Sequence, residues 1–76
     1  MDIISILQEI SKRTKEKCGN GDVALFYKEG SGWMIEAGNN TPVLLGEYGG
    51  EVSSWWYADI QECVDEINKE IEEYER

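Results

Sequence analysis

The chain has no histidine, a single proline and phenylalanine, two cysteines, and 7 basic residues against 16 acidic ones. Without histidine, the most frequent general base and the most frequent nitrogen ligand for a metal are both missing. Cys18 and Cys63 are too far apart for a CxxC pair, and two thiols alone do not make a structural zinc site. Both are read as reduced, with Cys63 packed as a small hydrophobe. Gly19-Asn20-Gly21 and Gly30-Ser31-Gly32 lead into extended segments rather than into a helix start with a lysine, which excludes a phosphate cradle. No loop carries the spaced acids of a calcium site. No cofactor and no metal are expected.

Long apolar runs are also missing. Ile3, Ile4, Ile6 and Leu7 open the chain, but Gln8 and Glu9 interrupt them well short of a signal segment or a membrane span. A cytoplasmic protein without membrane contact is expected. Nor does any acid sit in an apolar loop that would raise its pKa for acid–base work. Glu36 comes nearest, flanked by Ile35 and Ala37, and is read as a strand residue facing solvent. The expectation is a protein that is not an enzyme.

What is present is a short, strongly acidic globular chain. Its 76 residues form one domain, 1–76, with room for one modest core. A hydrophobic content of 41% separates it from a disordered acidic tail despite a net charge of −9. The charge is unevenly spread: +1 over residues 1–17, −4 over 18–58 and −6 over 59–76. Nucleic-acid affinity comes largely from cations displacing counterions, so direct nucleic-acid binding is excluded and a protein with a basic surface is the expected partner.

A helix over 2–17 is predicted, capped by Asp2, with Ile3, Leu7, Ile10 and Thr14 along one side and Ile4 and Ile6 broadening it. Lys12, Arg13, Lys15 and Lys17 suit the negative end of its dipole, and Gly19 supplies a left-handed cap. Strands follow at about 22–29, 32–37 and 42–48, with Gly-rich breaks between them, and Asn39-Asn40-Thr41 is read as a turn. Residues 52–57 form either a short fourth strand or an extended lead into the last helix. Because Trp55 and Trp56 are neighbours, an extended backbone points them to opposite sides, and one of them meets solvent or a partner.

The last helix spans 60–75. Asp59 caps it and Glu62 lies at the capping-box position three residues on. Ile60, Cys63, Val64, Ile67, Ile71 and Tyr74 form an apolar stripe of about 100°, and every acid of the segment lies outside it. The fold class is therefore α+β, a two-layer sandwich in the order helix, antiparallel three- or four-stranded meander, helix, with both helices on one sheet face.

That order of elements is similar to the double-stranded-RNA-binding domain, over the whole chain and at the level of topology only. Such domains place a basic cluster at the start of the second helix. Asp59, Glu62, Asp65 and Glu66 stand there instead, so RNA binding does not follow from the likeness. The hairpin followed by an acidic helix, Val23 to Glu73, also looks like small HicB-type antitoxins.

The leading functional expectation is a phage or mobile-element inhibitor of the anti-CRISPR or anti-restriction type, imitating nucleic-acid charge to block a basic partner. Carboxylates at i,i+4 are about 6 Å apart, near the spacing of phosphates along a strand. Glu62, Asp65, Glu66, Glu70 and Glu73 are the candidate charges, and Trp55, Trp56 and Tyr57 the candidate apolar anchor. The alternatives are an antitoxin-like or regulatory module that binds through its sheet edge and aromatics, and a structural homodimer.

Overall fold

A computed structural model describes residues 2–38 and 52–74. Helix α1 spans Ile3–Cys18. Asp2 caps it by accepting a hydrogen bond from the Ser5 amide at 2.8 Å, and Gly19 closes it in the left-handed conformation at φ 86°. Strands β1 (Val23–Lys28) and β2 (Gly32–Ala37) form an antiparallel hairpin with Leu25 opposite Ile35. Strand β3 is only the pair Val52–Ser53, antiparallel to the outer edge of β2. Helix α2 runs Ile60–Glu73.

The chain is thus α+β, built on two helices and one full hairpin. The expected meander is not established. Its third strand at 42–48, together with the turn at Asn39-Asn40-Thr41, falls outside the described residues, and 52–57 contributes two strand residues rather than a full fourth strand, while the last helix stops at Glu73, short of the expected 75, because Tyr74 turns extended.

One core joins the layers. Alternation puts Val23 and Leu25 of β1 and Trp33, Ile35 and Ala37 of β2 on one face, where they meet Ile10 of α1 and Cys63, Val64, Ile67 and Ile71 of α2. The stripe on α2 is therefore its buried side. α1 is more loosely held: Ile10 and Thr14 are buried, the Thr14 hydroxyl bonding back to the Ile10 carbonyl at 2.7 Å, while Ile4 in the first turn is 66% exposed. Cys63 is fully buried with its thiol donating to the Trp33 carbonyl at 2.9 Å, and no disulfide joins it to Cys18.

Glu36 corrects an expectation. It lies on the opposite face of β2 from Ile35, yet it is 1% exposed, and its neighbour on that face, Met34, is buried as well. Alternation assigns a residue to a face but says nothing about what covers the face, so a strand covered on both sides carries the same pattern as one covered on a single side. The sheet is not open behind β2.

Candidate partner-binding surface

The aromatic segment before α2 is shaped by a one-residue mismatch. Glu36 faces Ser53, but Trp33 faces Tyr57, so four steps along one segment match three along β2. Trp55 and Trp56 together stand opposite Met34, which is the two-against-one count of a β-bulge, a device that re-aims side chains. Ser54 closes the gap. Its amide donates to the Ile35 carbonyl at 2.8 Å, and its hydroxyl oxygen accepts from the Ile35 amide at 2.9 Å. Ordinary pairing resumes at Tyr57, which exchanges two backbone bonds with Trp33 at 2.7 and 2.9 Å. The result is that Trp55 stands 72% exposed while Trp56 is half-buried, the one-out, one-in arrangement expected of the pair.

Glu66 fixes this segment to α2. Its carboxylate accepts a bond from the Trp55 amide at 2.7 Å. Burial first, then the neighbouring Glu66 carboxylate, with Glu62 adding to it, hold the Tyr57 phenol above its ordinary 10.0. Burial likewise pushes the Cys63 thiol above 9.0. Both groups are neutral when protonated and bind protons more tightly in the folded chain. Their contribution is complete below the unfolded values of 9.0 and 10.0, and it is lost as pH rises through the raised folded ones. Urea titrations should therefore show stability falling on the alkaline side. In Glu66→Gln, phenolate absorbance should report Tyr57 titrating closer to 10.0; an unmoved titration would mean that Glu66 does not act on that phenol.

The acidic surface of α2 has two flanks. At 100° per residue, Glu62, Glu66, Glu70 and Glu73 fall within about 80° on the side of the aromatic segment, while Asp65 and Glu72 lie across Lys69 on the side of α1. The basic end of α1 reaches only the second flank. Arg13 donates to the Asn68 side chain and lies 4.0 Å from the Glu72 carboxylate, and Lys17 donates to the Glu72 carbonyl at 3.2 Å. Asp65 accepts from the Gln61 amide group at 3.0 Å. Glu62, Asp65, Glu70 and Glu73 are all exposed and form no ion pair among the described residues.

The acids outside the apolar stripe of α2 therefore do not act as one surface. Glu66 is half-buried and engaged with the Trp55 segment, and Lys69 forms no ion pair with Asp65 or Glu73. At the start of α2 only half of the capping box appears: Asp59 accepts from the Gln61 amide at 2.9 Å, while the Glu62 side chain has no bond to Asp59. What remains is an exposed tryptophan on a bulge, tied down by one carboxylate, beside three others that are free of cations. The tethering roles of Ser54 and Glu66 have no signature in the sequence, since a serine and a helix-surface glutamate read as ordinary solvated residues.

A groove of about 250 Å³ separates the helices, lined by Ile6, Ile10 and Val64 with Glu9, Gln61 and Asn68 at its polar positions. Among the described residues there is no group of three potential metal ligands, and no helix is long and apolar enough to cross a membrane. No family model, curated protein or solved structure matches the chain.

Proposed function

We propose that this chain is a non-enzymatic cytoplasmic binding protein that presses Trp55, together with the carboxylates of Glu62, Glu70 and Glu73 on the same flank of α2, into a basic surface of a nucleic-acid-handling protein. In this reading the chain is a phage or mobile-element inhibitor of the anti-restriction or anti-CRISPR type, imitating nucleic-acid charge. The reading rests on one observation: a tryptophan that is 72% exposed, yet held in place at its own backbone by Glu66. A backbone already held in place loses little freedom on binding, and aromatic anchors dominate interface energies. The neighbouring carboxylates supply steering towards a cationic partner and discrimination against acidic ones. The acids of the other flank, Asp65 and Glu72, are left out of this contact. The finer architecture in this proposal is a meander in which 42–48 adds a further strand to the hairpin.

The test is affinity capture from a lysate of the natural host at low and high salt. A basic nuclease or helicase should be retained at low salt, released as salt rises, and displaced by added DNA. Retention of a partner that is indifferent to both salt and DNA would remove the charge-mimic reading. A sheet-edge binder of the antitoxin-like kind is favoured by a separate observation, the exposure of Tyr27 on the outer strand.

A further inference from the structure

Strand β1 is the outer strand of the described sheet, and its hydrogen-bonding parity is fixed by its neighbours. Gly38 donates to the Asp22 carbonyl at 2.8 Å, and on the far side of β2 Trp33 exchanges both backbone bonds with Tyr57. Even-numbered residues of β1 therefore turn their amides and carbonyls towards β2, and Val23, Leu25 and Tyr27 turn theirs outwards. Among the described residues nothing pairs with that row.

From this edge we infer that the chain forms a two-fold symmetric dimer by pairing β1 with β1 of a second copy, antiparallel and centred on Leu25. The occupant is specified by the strand itself. Centred there, Asp22 faces Lys28 of the other copy at both ends, Val23 faces Tyr27, and Ala24 faces Phe26. Each is a favourable cross-strand combination: opposite charges, a β-branched residue with an aromatic, and a small residue with a large one. The outward amides and carbonyls of Val23, Leu25 and Tyr27 then meet in about six backbone bonds. Sliding the pairing by two residues either way keeps the parity but sets Asp22 against Phe26, or Lys28 against Ala24, so the charges pin the register.

Exposure and charge agree with this surface. Asp22 and Lys28 are solvent-exposed, and Tyr27, packed at a tilt against Trp33 with 4.7 Å between ring centres, is 63% exposed and gains cover from Val23 of the second copy. The segment from Asp22 to Lys28 carries no net charge in a chain of −9, so two copies meet there without the repulsion of their acidic helices. A lysine on an edge strand ordinarily blocks pairing. Opposite Asp22 it selects one arrangement instead. The interface is self-complementary, as a two-fold contact requires, and it involves none of the residues assigned to the basic partner.

Sedimentation equilibrium on the full chain tests this without any partner. The wild type should sediment at twice 8.7 kDa. Asp22→Lys and Lys28→Asp each set like charges against each other at both ends and should weaken association by about tenfold or more. Combining them restores opposite charges and should restore the dimer. Both side chains are exposed, and recovery in the double variant separates lost pairing from lost folding. A wild type that remains at 8.7 kDa up to about 1 mM, single variants that associate as well as the wild type, or a double variant that stays apart would each overturn the assignment.

Discussion

Gly32→Ala is expected to lower the stability of the fold by about 3 kcal/mol or more. Gly32 sits at φ 100°, where an L side chain is strained, and a Cβ placed on it would lie 2.1 Å from the Tyr57 carbonyl oxygen and 2.6 Å from its carbonyl carbon. Those atoms are backbone, held by the two bonds between Tyr57 and Trp33, so they have no side-chain freedom with which to withdraw. Gly30 is the matched control. Its φ is 86°, but a Cβ there meets nothing within 4 Å, so Gly30→Ala should cost only the conformational strain, about 1 kcal/mol. A domain of this size has roughly 4–11 kcal/mol in total, so the first substitution removes a large share and the second a small one. Urea unfolding followed by tryptophan fluorescence separates them, because Trp33, Trp55 and Trp56 all lie at or beside the bridge. Equal midpoints for the two variants would mean that Tyr57 does not approach the hairpin as described.

The same close approach explains what could be read in advance and what could not. Both helices, their caps at Asp2, Gly19 and Asp59, and the hairpin of β1 and β2 follow from local chemistry: a short polar cap, a glycine free to take positive φ, and apolar periodicity. Each of those signals lies within a few residues of the feature it specifies. The bulge at Trp55 and Trp56 does not, because it results from two registers on one strand, 52–53 against β2 and then Tyr57 against Trp33, joined by a serine that makes up the lost amide bond. Glu36 misled for a related reason, since a carboxylate on an alternating strand reads as exposed unless the cover over the second face is known. Glu66 looked like one more solvated acid on a helix. Its part in holding Trp55 depends on how α2 meets a segment eleven residues earlier in the chain, which helical spacing alone does not encode.

Reversing Glu62, Glu70 and Glu73 to lysine together should weaken capture of the basic partner by roughly a hundredfold, with the fold intact. Single exposed charge contacts contribute only about 0.2–1 kcal/mol each, so no one of the three should matter much. Reversing all three turns attraction into repulsion over a single face. The salt dependence of binding should also reverse in the triple variant, because added salt now screens a repulsion. Trp55→Ala acts on a different quantity. It should cost about 2 kcal/mol or more of affinity yet leave the salt slope as it was, since the ring contributes buried area and not charge. Glu66→Ala falls between them, because it both deletes a carboxylate and releases the Trp55 amide, so its loss should exceed that of Glu70→Ala, which only removes an exposed charge. Asp65→Lys, on the flank facing α1, serves as the control and should bind nearly as well as the parent chain. If Asp65→Lys proved as damaging as the change at Glu62, Glu70 and Glu73, the partner would be sensing net charge alone, and the surface built around Trp55 would have no special claim to the contact.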